Sequence, residues 1–360
     1  MIENIFTSNY TVGEMAYNEI PKICNVYGKK VVMIGGKTAL EKAGHIIKDS
    51  IKNSDMEIID TLWYGGQASF ENAKMLSENE AVKKADMIFS VGGGKALDTC
   101  KILTGKINKP VFTFPTIAGT CAAMTSVCAV YHPDGVFRDV YFRHAPAEHT
   151  FINTKIIAEA PIKYIWAGIG DTLAKGYEPE FSSRGEKLDF SNTMGVTLSS
   201  LCKEPIFKNG TKAIKDCEIK VSSSEVKEVV LSIIAATGTV SNALEMKYNS
   251  CAAHSLCYGF TIFPKVEEHH LHGELVSYGV LVQTMMDNNL EELKKLIEFY
   301  KSIKLPISYK EFGVTENEIE KVIEKACSTG DIEQACMKID KEVYRNAINK
   351  LEDFIQNIVK

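Results

Sequence analysis

Ser90-Val91-Gly92-Gly93-Gly94-Lys95-Ala96-Leu97-Asp98 is the stretch on which the reading of this chain turns. Residues 86–91, Asp-Met-Ile-Phe-Ser-Val, have the apolar content of a buried strand. Three glycines then let the backbone turn tightly and approach a ligand, and a helix follows from Lys95. The amides that open such a helix face an anion such as a pyrophosphate. Two familiar phosphate loops are excluded. A Walker loop needs a glycine five residues before Gly94, where Phe89 stands, and in G-x-G-x-x-G the third glycine position holds Leu97. The lysine and helix that follow at once favour phosphate binding over a plain turn.

Working outward, residues 30–34 read as a strand ended by Gly35-Gly36, residues 39–48 as a helix and residues 56–59 as a second strand. Residues 70–83 are mostly helical, residues 86–91 are the third strand and residues 111–114 the fourth. Strand and helix in alternation imply βαβ units and a parallel, Rossmann-like sheet covered on both faces. Residues 127–131 and 136–141 flank Pro133-Asp134-Gly135, which predicts a β-hairpin. From about Pro161 helical periodicity takes over. The expected organisation is an α/β nucleotide-binding domain over residues 1–160, an all-α metal-binding domain over residues 161–360, and a cleft between them.

Composition narrows the function classes. Against 41 Lys and Arg stand 46 Asp and Glu, a net charge of -5 with no long run of one sign, so nucleic acid has no electrostatic footprint. No stretch reaches the roughly 20 apolar residues of a membrane helix. Residues 229–240 are interrupted by Ser232, Thr237, Gly238 and Thr239 and read as a buried core helix. Residues 1–6 lack the basic start of a signal peptide. Ten cysteines with no C-x-x-C pair suit reduced thiols in a cytoplasmic protein and argue against a cysteine zinc site.

Four of the eight histidines fall between His254 and His272. His254 lies in a helical segment, residues 252–260, and His269-His270-Leu271-His272-Gly273-Glu274 forms a second clump. Imidazoles from two segments plus one carboxylate make a site for a divalent metal with a position left open. Spacing does not choose among the clumped histidines. The carboxylate candidate is Asp171 in Gly168-Ile169-Gly170-Asp171-Thr172; the competing reading makes it a helix N-terminal residue that satisfies free backbone donors.

Together these segments resemble the iron-containing alcohol dehydrogenase superfamily, in its glycerol dehydrogenase-like group. The resemblance rests on Gly92-Gly93-Gly94-Lys95 with Asp98 and Lys101, Pro115-Thr116-Ile117-Ala118, Gly168-Ile169-Gly170-Asp171, Ala253-His254 and His272-Gly273-Glu274. It implies the fold shared with dehydroquinate synthase, and Asp171, His254 and His272 as ligands of one divalent metal, zinc or iron. It further implies that Gly94, Lys95, Thr116, Thr120, Thr125, Val127 and Tyr131 line an NAD(P) cofactor, and that hydride passes between it and a carbinol carbon. Relatives assemble as homo-oligomers. A lyase of the dehydroquinate synthase type would need a dense Lys and Arg set that is not apparent, and a non-catalytic binding protein would not need all three ligands beside an intact glycine loop.

Three departures carry expectations. Glycerol dehydrogenases have an aspartate facing the polyol where this chain has Cys121, which points to the hydroxycarboxylate dehydrogenase branch and a 2-oxo acid substrate; glycerol is the alternative. Gly36-Lys37 stands where NAD-selective relatives carry an aspartate before a lysine, so NADP(H) is expected to be favoured. Cys257 stands where many relatives have a second histidine, so any proton relay through that position takes another route.

Overall fold

The computed structural model describes residues 7–359, so the reading of residues 1–6 lies outside the described part. The first strands are β1 (Tyr10–Val12), β2 (Lys30–Gly35), β3 (Glu57–Trp63) and β4 (Met87–Gly92). They are followed by β5 (Val111–Pro115), β6 (Val127–Tyr131), β7 (Phe137–Phe142) and β8 (His149–Ile152). Six of them make one parallel sheet in the order β1-β8-β5-β4-β2-β3, while β6 and β7 form the antiparallel hairpin. Strands β4, β5 and β8 are buried along their whole length, as expected when helices cover both faces. Phe89, Phe112, Phe114 and Phe151 pack together in the sheet's core, the last two stacked at 5.1 Å between ring centroids.

The sheet thus has two more parallel strands than the sequence suggested. β1 has three residues and β8 has four, too short for a periodic signal, and both are held by strand neighbours. The helix expected over residues 70–83 is two, Phe70–Ser77 and Glu80–Lys84, because the Asn79 side chain caps the second by accepting from Ala81 and Val82 N–H. The apolar run at residues 229–240 is buried and helical but not one α-helix. A π-turn, Ser232–Ala236, separates Ser224–Leu231 from Thr237–Ala243, and the Thr237 hydroxyl satisfies the Ser232 carbonyl at 2.9 Å.

Strand order places the ligand crevice. β2 has β3 on one side and β4 on the other, so successive crossovers leave it in opposite directions at the carboxyl ends of β2 and β4. Ligands of open α/β sheets bind at such a switch point. Gly36 and Gly92 lie there side by side: Gly35 is registered opposite Val91, and the Gly36 amide donates to the Val91 carbonyl at 3.3 Å. After Ile152 the described chain is helical, and none of its helices is long and apolar enough to cross a membrane.

Candidate active site

Three helices meet over the carboxyl edge of the sheet: Lys163–Ser183 with Asp171, Ala252–Phe260 with His254, and His272–Met286 opening on His272. Small residues let them touch backbone to backbone. A Cβ on Gly170 would lie 2.2 Å from the Gly273 carbonyl oxygen, and one on Gly273 would lie 1.9 Å from that of Ala167. A Cβ on Gly279 would fall 2.4 Å from the Ala253 oxygen, so the His254 helix is pressed as closely onto the His272 helix. The glycines beside Asp171 and His272 therefore put those side chains within reach of each other. Asp171 is well inside its helix, so it is no N-terminal cap: its backbone neighbours are already paired.

The donor atoms of Asp171, His254 and His272 lie within 4.8 Å of one another. Asp171 Oδ1 is 3.5 Å from His254 Nε2 and 3.7 Å from His272 Nε2. Behind His254 stands Glu178, fully buried, two turns after Asp171 and on the same helix face. Its Oε2 is 2.5 Å from His254 Nδ1, while its Oε1 accepts from the N–H groups of Cys251 at 2.7 Å and His254 at 2.9 Å. This fixes the ring with Nε2 turned to the cluster. Burial works against charging His254, but Glu178 and Asp171 outweigh it and push its pKa up to about 10. Burial likewise opposes ionising Asp171, yet the two histidines hold its pKa below the usual carboxylate range. Lys175 is tied to the Asn249 backbone and side-chain carbonyls and stays out of the cluster.

Two imidazoles and one carboxylate, converging from rigid helices with one side of His272 exposed, suit a borderline divalent ion that keeps an open position. His269 and His270 do not join them: His269 Nδ1 meets the Lys265 carbonyl at 3.0 Å and His270 Nδ1 meets Glu274 at 2.8 Å. Glu178 was invisible as a site residue in sequence, although its position seven residues after Asp171 is a usable signal. Replacing Glu178 with Gln is expected to weaken zinc affinity about ten- to a hundredfold, measured by chelator competition. Unchanged affinity would show that Glu178 only packs.

The glycine loop faces this cluster. Gly92 has φ +149°, a conformation that favours glycine, and Gly93 caps the helix Gly94–Ile107. A pocket of about 150 Å³ is lined by Gly93, Gly94 and Thr120 on one side and by Ala167, His272 and Gly273 on the other. It shares Ile117 and Tyr164 as lining residues with a cleft of about 1070 Å³ whose walls include Gly36, Lys37, Trp63 and Thr116. Lys95 lies over the Tyr131 ring at 5.4 Å. Asp98, Thr125 and Val127 take part in a network around buried Lys101. Lys101 Nζ pairs with Asp98 at 2.9 Å and donates to the Thr125 and Val127 carbonyls at 3.0 and 2.6 Å, sewing the 125–127 segment to the helix. Cys121 is half-buried; burial first, and then the Asp171 charge, push its pKa up to about 12, so its thiol is neutral.

The model of the family described as iron-containing alcohol dehydrogenase matches residues 7–147. The solved glycerol dehydrogenase of Schizosaccharomyces pombe superposes with a TM-score of 0.85 at 26% identity, covering 99% of this chain and 92% of that one. The glycerol dehydrogenase of Thermotoga maritima is 27% identical over 338 residues, 91% of this chain and 90% of its own length. Hydroxycarboxylate dehydrogenase A of Escherichia coli is 30% identical over 302 residues, 81% of each chain.

The chain belongs to the iron-containing alcohol dehydrogenase superfamily. Within it the chain falls in the glycerol dehydrogenase-like group, whose α/β region and helical remainder it shares. It is an oxidoreductase acting on CH–OH donors, linked to NAD(P) and one divalent metal, with a small-molecule substrate.

Proposed function

We propose that Asp171, His254 and His272 hold the metal and that the chain oxidises a small vicinal polyol of glycerol's size, with the nicotinamide cofactor in the cleft from Gly36 to Thr120. The observation that carries this reading is the shared pocket, which has the glycine loop as one wall and His272 as the other. A divalent metal held there would supply Lewis acidity toward a carbinol oxygen, and a nicotinamide cofactor would supply the hydride acceptor. The chain's own part is positioning. Gly93 and Gly94 let the cofactor's phosphates approach the helix amides, Glu178 keeps His254 Nε2 aimed inward, and the buried Glu178 side closes the cluster behind His254.

The sequence put a 2-oxo acid first; the relatives, mostly glycerol dehydrogenases, fit glycerol at least as well. The oxo-acid reading keeps one specific support, a neutral Cys121 near Asp171 where a carboxylate would repel an anion. On the cofactor side we infer a tolerance for NADP(H). Gly36 offers no carboxylate, Lys37 Nζ lies 5.0 Å from the Trp63 ring and Lys42 lines the same cleft, so beside Gly36 a ribose 2′-phosphate meets two lysines, while Glu14 and Glu159 also line the cleft.

A paired assay on zinc-loaded protein tests both points: glycerol with NAD or NADP, against 2-oxobutyrate with NADH or NADPH. Glycerol turnover at least about tenfold above that of the oxo acid, taken as kcat/KM, is the expected result. The reverse order would return the oxo acid to first place, and strict NAD dependence would remove the Gly36 argument.

A further inference from the structure

His272 has a second ring nitrogen, and what holds it is not a carboxylate. Cys257 is fully buried on the His254 helix, one turn after His254 and facing the same neighbour. Its Sγ lies 3.5 Å from His272 Nδ1 and 3.8 Å from the His272 backbone carbonyl oxygen. Both are sulfur hydrogen-bond distances, and one arrangement makes both bonds at once. A carbonyl oxygen only accepts, so the thiol hydrogen goes to the His272 carbonyl. The sulfur lone pair is then left to accept from Nδ1–H. A neutral imidazole carrying its hydrogen on Nδ1 has its free lone pair on Nε2, the atom that faces Asp171.

We propose that Cys257 is the positioning residue of His272: its thiol fixes the Nδ1–H tautomer and the ring plane, as Glu178 does for His254. This rests on the ligand assignment proposed above. The two supports are unequal. Glu178 is a buried carboxylate at 2.5 Å, whereas a thiol is a weak acceptor at 3.5 Å. His272 is also the exposed member of the pair, with 44% of its side chain accessible against 11% for His254. The cluster therefore has one firmly held ring and one lightly held ring, and the lightly held one borders the substrate pocket.

The test uses the full chain in two measurements. In metal-free protein with nitrogen-15-labelled histidine, the ring nitrogen shifts of His272, assigned by their loss in His272→Ala, report the tautomer directly. The parent is expected to show Nδ1–H. Cys257→Ala is expected to move His272 toward a mixture or toward Nε2–H, and Cys257→Ser to restore the parent pattern. Zinc affinity by chelator competition is expected to fall about tenfold or more in Cys257→Ala and to recover most of that in Cys257→Ser. A simple packing role would lower the thermal stability of Cys257→Ala with and without zinc alike, leaving tautomer and affinity unchanged, and that outcome overturns the proposal. His272→Ala separates the two readings: if it binds zinc as tightly as the parent, the ligand assignment fails, while the tautomer in metal-free protein still decides the role of Cys257.

Discussion

Asp171→Ala is expected to lower turnover by roughly three orders of magnitude or more and to leave purified protein with little bound metal. Asp171 is the one carboxylate of the cluster and the only member that reaches both rings. Without it the site has two imidazoles and no anionic donor, and His254 loses one of the two carboxylates that oppose each other across its ring. A divalent cation then exchanges water for neutral nitrogens only, in a place whose remaining negative charge, Glu178, is already committed to His254 Nδ1 and two backbone amides. Asp171→Asn keeps the shape and removes the charge, so it should fail nearly as badly; substantial recovery in Asn would mean that shape matters more than charge. Metal content of the purified variants, read beside initial rates in zinc excess, checks the claim. Full activity in Asp171→Ala would remove this residue from the ligand set.

The sequence made some of this legible and hid the rest for physical reasons. Strands β2, β4 and β5 announce themselves because both sheet faces are covered, which demands largely apolar runs such as Val-Val-Met-Ile at residues 31–34. The hairpin is legible because Pro133-Asp134-Gly135 encodes its own turn, with Gly135 at φ +97°. β1 and β8 are not, since their pairing is imposed by neighbours distant in the chain. The π-turn at Ser232–Ala236 is equally silent, because one extra residue in a helix changes no composition. At the site, chemistry-bearing residues stood out by type, and the resemblance chose His272 over His269 and His270. Their neighbours are legible only in part: Lys101 and Cys257 are singled out by the resemblance alone, and Glu178 only by its seven-residue spacing from Asp171, because their contacts run between helices or across a loop. Asp171 shows the same limit from the other side: an aspartate after two glycines looks like the start of a helix until the helix is seen to begin at Lys163.

The glycines beside Asp171 and His272 lead to the second large effect. Gly273→Ala is expected to separate the His272 helix from the Asp171 helix and to weaken zinc affinity by about a hundredfold or more, a larger loss than removing either supporting group. The added Cβ would lie 1.9 Å from the Ala167 carbonyl oxygen. That neighbour is backbone within a helix, so no rotamer change relieves the clash; the helices must move apart by more than an ångström to reach van der Waals contact. His272 precedes Gly273 directly, and Asp171 follows Gly170, whose own Cβ position is 2.2 Å from the Gly273 oxygen. The displacement therefore passes straight into the separation of Asp171 and His272. Stability should fall by about 1–3 kcal/mol or more, the usual range for overpacking a tight contact. A control distinguishes site geometry from general damage. Gly330→Ala adds the same methyl where the nearest atom is 4.0 Å away, and should keep both stability and zinc affinity near the parent's. Gly279→Ala, clashing with Ala253 on the His254 helix, should resemble Gly273→Ala, because it displaces that helix by the same mechanism. If Gly273→Ala folds and binds zinc as tightly as the parent, backbone contact between these helices is not what sets the cluster, and the glycines flanking the ligands have to be explained by the approach of substrate or cofactor instead.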